Sequence, residues 1–180
     1  MRSLEARLKG RTSFVLAAND DRAKRSPDIR WPAAFTPASA DLYAHNERFI
    51  RASCSRVWRH LVEAPKWPAW YPNAHDVRII TGRPDSLQSN SRFQFDSFGL
   101  HLDGRIREFL PESRLGWYGL GPDIAAYQAW LLIESSGGCQ VVTEKVANGP
   151  AAVALRRADP DALYRGHDLW LSTLKMVAEG

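Results

Sequence analysis

The chain has no run of about 18 apolar residues, so none of its segments is long and apolar enough to cross a membrane as a helix. Residues 1–26 are rich in Arg but hold no apolar stretch of 7–15 residues, which argues against a secretory leader. Glu5, Asp20 and Asp21 argue in the same way against an organelle transit peptide. Cysteine is scarce: Cys54 and Cys139 only. There is no C-x-x-C pair and no H-E-x-x-H, so the common zinc signatures are missing and no metal site is expected. Two cysteines fit free thiols in a reducing compartment, hence a cytoplasmic protein, and leave a single disulfide open. No P-loop, Gly-x-Ser-x-Gly elbow or dinucleotide fingerprint occurs, and no cofactor is expected.

What is present describes one domain. The 180 residues are 44% hydrophobic and 24% charged, close to the average for globular proteins. A chain of this size buries roughly 70% of its unfolded surface. The net charge of +4 is unevenly placed. Residues 1–30 hold eight Lys and Arg against four Asp and Glu, and the remainder is balanced. A nucleic-acid binder carries its basic stripe on the folded body; here the body is neutral and no nucleic-acid partner is expected. Seven Trp, seven Phe and five Tyr point instead to a core or pocket built from aromatic rings.

Residues 1–26 read as a flexible basic tail. Residues 27–40, with Pro27, Pro32 and Pro37 around Trp31 and Phe35, read as an arm docked on a single domain spanning 27–180. A strand over 42–52 leads to Ser53, which caps a helix at 54–63 that Pro65 stops. Trp67, Trp70 and Tyr71 share one face of a short turn. Six alternating segments follow at 77–81, 92–96, 100–109, 115–120, 125–134 and 139–147, separated by turn residues such as Gly137-Gly138. With the first strand they make a seven-stranded, mostly antiparallel sheet. A long final helix, capped by Asp159 with Pro160 in its first turn, aligns Leu163, His167, Trp170, Leu171, Leu174 and Val177.

This order resembles the START-like (SRPBCC) superfamily of polyketide cyclase/dehydrase and lipid-transport proteins. Short strings carry the likeness across residues 30–179: Trp31-Pro32, Val57-Trp58, Trp67-Pro68-Ala69-Trp70-Tyr71-Pro72-Asn73, Phe98-Gly99, Glu108-Phe109 with Pro111, Arg114-Leu115-Gly116-Trp117, Ala126-Tyr127-Gln128-Ala129-Trp130, Val142-Thr143-Glu144 before Gly149, and Trp170-Leu171 with Leu174-Lys175. The resemblance implies an α+β helix-grip, in which a curved antiparallel sheet wraps a long C-terminal helix. It also implies an apolar cavity between the two. Gln128 stands where this branch would carry His, and Lys145 where a second acidic residue would follow Glu144.

The function implied is binding of a small hydrophobic ligand, polyketide-, sterol- or lipid-like. The alternative is a cofactor-free cyclase or dehydratase acting in the same cavity. The expected partner is that small molecule, and the oligomeric state stays open. Trp67, Trp70, Tyr71, Phe93, Phe95, Trp117, Tyr127, Trp130, His167 and Leu171 are the candidate lining. His167, Glu108 and Glu144 are the candidates for proton chemistry. Each has a plainer reading: His167 a core histidine, Glu108 a water-facing strand end, Glu144 of ambiguous facing. The facing of strand 125–134 also stays open, because Tyr127, Ala129 and Leu131 lie on one side and Trp130 and Leu132 on the other. Cys139 reads as a small apolar filler.

With the excess charge confined to residues 1–30, few phosphates are neutralised at once. DNA or RNA binding should therefore be weak and collapse with modest salt. Tight binding at physiological salt in a filter or anisotropy assay would refute this.

Overall fold

The computed structural model describes residues 21–180, so most of the expected basic tail lies outside the described residues. One curved antiparallel sheet has the strand order β1-β7-β6-β5-β4-β3-β2. The strands are Leu42–Ile50 (β1), His75–Thr81 (β2), Arg92–Ser97 (β3), Leu100–Leu110 (β4), Arg114–Gly121 (β5), Ile124–Ser135 (β6) and Gly138–Asn148 (β7). β2 to β7 form a continuous meander, and β1 pairs with β7 at the far edge. Helix α1, Cys54–Val62, and a 3-10 turn, Ala64–Ala69, connect β1 to β2. Two more helices end the chain: α2, Pro150–Ala158, and α3, Ala162–Glu179. The 18 residues of α3 reach about 27 Å at 1.5 Å per residue. They lie along one face of the sheet, the inner face, as a helix-grip requires.

Local chemistry explains the boundaries. Ser53 Oγ accepts from Arg56 N at 3.2 Å and starts α1, whose buried stripe is Cys54, Val57, Trp58 and Leu61. The β3–β4 hairpin turns through Phe98 and Gly99, both at positive φ (53° and 73°). Such a turn favours Asn, Asp or Gly at both positions. A bulky Phe there costs on the order of 1–3 kcal/mol and needs outside support. Asn73 supplies some, its Oδ1 accepting from Phe98 N at 3.1 Å. Gly166 on α3 supplies the rest, because a Cβ there would collide with the Phe98 ring.

Three expectations need correction. Helix α2 was not anticipated, although Pro150 in its first turn after Gly149 is a start signal. Consequently Asp159 follows α2 instead of capping α3. Its Oδ1 accepts from Asp161 N at 3.2 Å and shapes the turn, and α3 begins at Ala162. The cysteines are not free, nor is Cys139 a filler: Cys54 and Cys139 form a buried disulfide. The β1–β7 ladder causes this by placing Ile50 opposite Cys139, four residues before Cys54. The argument from free thiols to a reducing compartment falls with it, since disulfides persist in oxidising ones.

The arm lies on the outer face. Trp31 meets Tyr43 and Tyr127 at 6.4 and 5.9 Å, and Phe35 meets Tyr118 and Tyr127 at 5.5 and 6.2 Å. With Ile29 they cover Tyr127, Ala129, Leu131, Val142 and Val146, a second core. Contacts begin before residue 27, where Arg22 donates to Ala40 O at 2.9 Å. Most of β6 and β7 is therefore buried on both faces.

The disulfide closes a loop of 85 residues. Its reduction should lower unfolding stability by about 2–5 kcal/mol. Urea curves with and without reductant check this; coincident curves would show that the bond carries no weight in solution.

Candidate functional site

Strand alternation and register place each candidate on a face of the sheet. On the inner face, one cross-strand row runs Trp117, Gln128, Lys145 and Ala44, and the next runs Leu115, Trp130, Thr143 and Asn46. Helix α3 covers both rows with His167, Trp170, Leu171 and Leu174, all buried. Asn46 Nδ2 donates to Tyr164 O at 3.1 Å, and Arg48 pairs with Asp168 at 2.8 Å; both tie β1 to α3.

One half of the space between sheet and helix is filled by rings. Trp67 stacks on Trp117 at 5.6 Å and meets Phe93, Phe95 and Trp170 edge-on at 5.3–6.2 Å. Tyr71 stacks on Trp170 at 4.4 Å and donates to Gly166 O. Burial pushes the Tyr71 phenol up to about 12, so it stays a donor. These side chains pack against one another instead of lining an open apolar cavity. A cleft of about 400 Å³ lies elsewhere, between Asp21, Arg22 and Lys24 on one side and Asp41–Tyr43, Arg156, Pro160, Asp161 and Tyr164 on the other, and Tyr164 is one helical turn before His167.

The other half is polar. His167 is fully buried, and neither ring nitrogen has a partner among the described residues. Burial, reinforced by the Lys145 charge, holds it well below its usual range, so it is neutral at pH 7. Lys145 is 8% exposed, and burial lowers its ammonium to about 8. Its Nζ lies 5.6 Å from the centre of the Phe98 ring. Phe98 meets His167 at 6.5 Å, His167 meets Trp170 at 6.4 Å and Trp170 meets Trp130 at 5.1 Å, a continuous chain of contacts. Trp130 Nε1, Trp170 Nε1 and Asn46 Oδ1 are buried without partners as well. Gln128 is satisfied, donating to Thr143 Oγ1 at 2.6 Å.

Trp67, Tyr71, Phe93, Phe95, Trp117, Trp130, His167 and Leu171 thus share the interior, and Trp70 sits half-buried at its edge. Tyr127 does not; it belongs to the outer core. Glu108 also leaves the interior, because a bulge between Ile106 and Glu108 reverses the alternation and sets Glu108 beside Arg30 at 3.7 Å. Glu144 is buried on the outer face, where its Oε1 meets His45 Nδ1 at 2.7 Å and accepts from Ser26 N at 2.5 Å. Among the three proton-transfer candidates only His167 faces the interior. Lys145, a departure from the expected pattern in the sequence, is not among the residues proposed there for the site. Its signal is a cation directly after Glu144, on the opposite face of β7 and followed by Val146 and Ala147.

No family model matches the chain, and no curated protein matches it. Solved structures do. A hypothetical protein from Helicobacter pylori is 27% identical, with a TM-score of 0.77 over 86% of this chain and 98% of that one. The di-domain ARO/CYC StfQ from the steffimycin biosynthetic pathway is 19% identical, with a TM-score of 0.60 over 77% of this chain and 52% of that one. The di-domain ARO/CYC BexL from the BE-7585A biosynthetic pathway is 17% identical, with a TM-score of 0.60 over 79% and 52%. The helix-grip fold is common to all of them.

A buried ammonium without a counter-ion is a stability cost. A lowering from 10.5 to about 8 corresponds to on the order of 3 kcal/mol, present in full below pH 8, where folded and unfolded chains both hold the proton. Between pH 8 and 10.5 the unfolded chain keeps a proton the folded one has lost, so stability rises with pH through that window. His167 acts at the acid end: below about 6.5 the unfolded chain takes up a proton that the folded chain refuses, and stability falls. Lys145→Met should therefore gain about 1–3 kcal/mol at pH 7 and lose the rise above pH 8. Urea unfolding from pH 5 to 10 measures both, and superimposable wild-type and variant profiles would refute the placement of Lys145.

Proposed function

We propose that the protein binds a small, largely apolar molecule between the sheet and α3, with the molecule's polar end at Lys145 and His167. The observation that carries this reading is the gathering of buried polar atoms without protein partners: both His167 nitrogens, the two indole N–H groups of Trp130 and Trp170, and Asn46 Oδ1, beside the Lys145 ammonium. Buried polar groups are normally satisfied, and apolar replacements at such positions usually stabilise. Groups kept at that cost mark functional sites. The rings of Trp130 and Trp170 offer the apolar body a surface beside the polar end. The packing of Trp67, Trp117, Phe93 and Phe95 limits its size. Among the polyketide-, sterol- and lipid-like classes this favours a short or flat molecule over a full sterol. Phe98, strained and half-buried, covers the Lys145 side, so its hairpin tip is the element that moves when the ligand enters. The fold shared with the polyketide ARO/CYC proteins StfQ and BexL supports the ligand class.

A cofactor-free cyclase or dehydratase is the second reading. The observation in its favour is that two titratable groups, Lys145 and His167, meet on the inner face. Lys145, lowered to about 8, would exchange a proton near neutral pH while the walls order a flexible substrate.

The variant His167→Ala separates these readings, since Ala is the better helix former and α3 should persist. A binder should retain a copurified small molecule in native mass spectrometry, and the variant should hold it about 2- to 13-fold less tightly. An enzyme should lose about 10²–10⁴ in turnover of that molecule with little change in binding. A variant that differs from wild type only in melting temperature would leave His167 a core histidine and remove both readings.

A further inference from the structure

The polar end of the site is unbalanced in donors and in charge. Lys145 offers three N–H donors and no acceptor, and each indole offers one donor and no acceptor. Neutral His167 adds one donor and one acceptor. On the acceptor side stands Asn46 Oδ1. Among the described residues no carboxylate answers the ammonium. Asp168, the next residue on α3, is paired with Arg48 of β1. Glu144, the preceding residue on β7, lies across the sheet with His45 and Ser26 N. The remaining neighbours are uncharged: Gln128 of β6, Ala44 and Asn46 of β1, and Phe98 of the β3–β4 hairpin.

We infer that this end selects an anionic oxygen, and that the ligand is an amphipathic carboxylic acid: an apolar body that lies against Trp130 and Trp170 and ends in a carboxylate at Lys145. The inference rests on the reading of the site as a ligand pocket. A single carboxylate cancels the single ammonium, and its two oxygens accept several hydrogen bonds, which suits the Lys and indole N–H groups. A phosphate monoester brings up to two charges to one cation and would leave charge buried and uncompensated. A bound carboxylate would favour the charged ammonium and offset the desolvation that holds Lys145 down, so above pH 8 Lys145 should take up a proton as the acid binds.

Isothermal titration calorimetry on the intact protein tests this with two matched pairs, octanoate against octan-1-ol and 2-naphthoate against 2-naphthalenemethanol. The wild type should bind at least one acid ten times or more tighter than its alcohol. Lys145→Met should bring that pair within about twofold, through loss of acid affinity alone. At pH 8.5, titrations in two buffers of different ionisation enthalpy should show net proton uptake with the acid and none with the alcohol. This readout needs only the wild type and stands even if the variant fails to fold. Equal affinity for acid and alcohol, or no proton uptake, overturns the carboxylate assignment and leaves the pocket in place. If neither skeleton binds in either form, the pocket itself is overturned, and the assignment with it.

Discussion

Strands β6 and β7 lie between two covers, the N-terminal arm on the outer face and α3 on the inner, so most polar side chains on them must find an answer inside the protein. Glu144 and Lys145 are consecutive in β7 and point to opposite faces, which puts a buried anion and a buried cation back to back with the sheet between them. The anion is answered: the His45 ring and Ser26 N both reach Glu144. Burial and that carboxylate together push the nearby Tyr43 phenol far above its usual range. The cation has the Phe98 ring beside it and, among the described residues, no carboxylate. Among those residues the anion thus has two partners on its Oε1 and none on its Oε2; the cation on the other face has no such partner.

That asymmetry organises the interior. The rings of Trp67, Trp117, Phe93 and Phe95 fill the space over β3–β5, where a solid aromatic core supplies much of the apolar burial. The space over β6, β7 and β1 holds Gln128, Thr143, Lys145 and Asn46 instead. Trp170 spans the boundary, touching Trp67 and Trp117 on one side and Trp130 and His167 on the other. The Phe98 turn leans on Gly166 one residue before His167, so a strained backbone and a helix glycine meet beside the buried titratable pair.

Much of this was legible from the residues. The seven strands follow from alternation broken by turn residues, and the placement of His167 follows from the i, i+3/i+4 stripe on the last helix. What could not be read depends on long-range register. The Cys54–Cys139 bond exists because β1 pairs with β7 in one particular register, which local sequence does not encode. Glu108 moved to the outer face through a one-residue bulge, which reverses facing without changing composition. The facing of β6 was undecidable because both of its sides are apolar, a consequence of its two covers. The ladder also joins two departures from the expected pattern. Gln128 and Lys145, unusual separately, are direct cross-strand partners. No reading of either residue alone reveals that pairing.

The most direct test of the inner-face site is a two-dimensional ¹H–¹⁵N spectrum of the seven Trp indole groups, assigned by single Trp→Phe substitutions and recorded during titration with octanoate or 2-naphthoate. The Trp130 and Trp170 indole signals should move to saturation together, while Trp31, in the arm on the other side of the sheet, stays in place. Shifts confined to Trp31, or no shift at Trp130 and Trp170 while the acid demonstrably binds, would place the ligand elsewhere and contradict a functional site at Lys145 and His167.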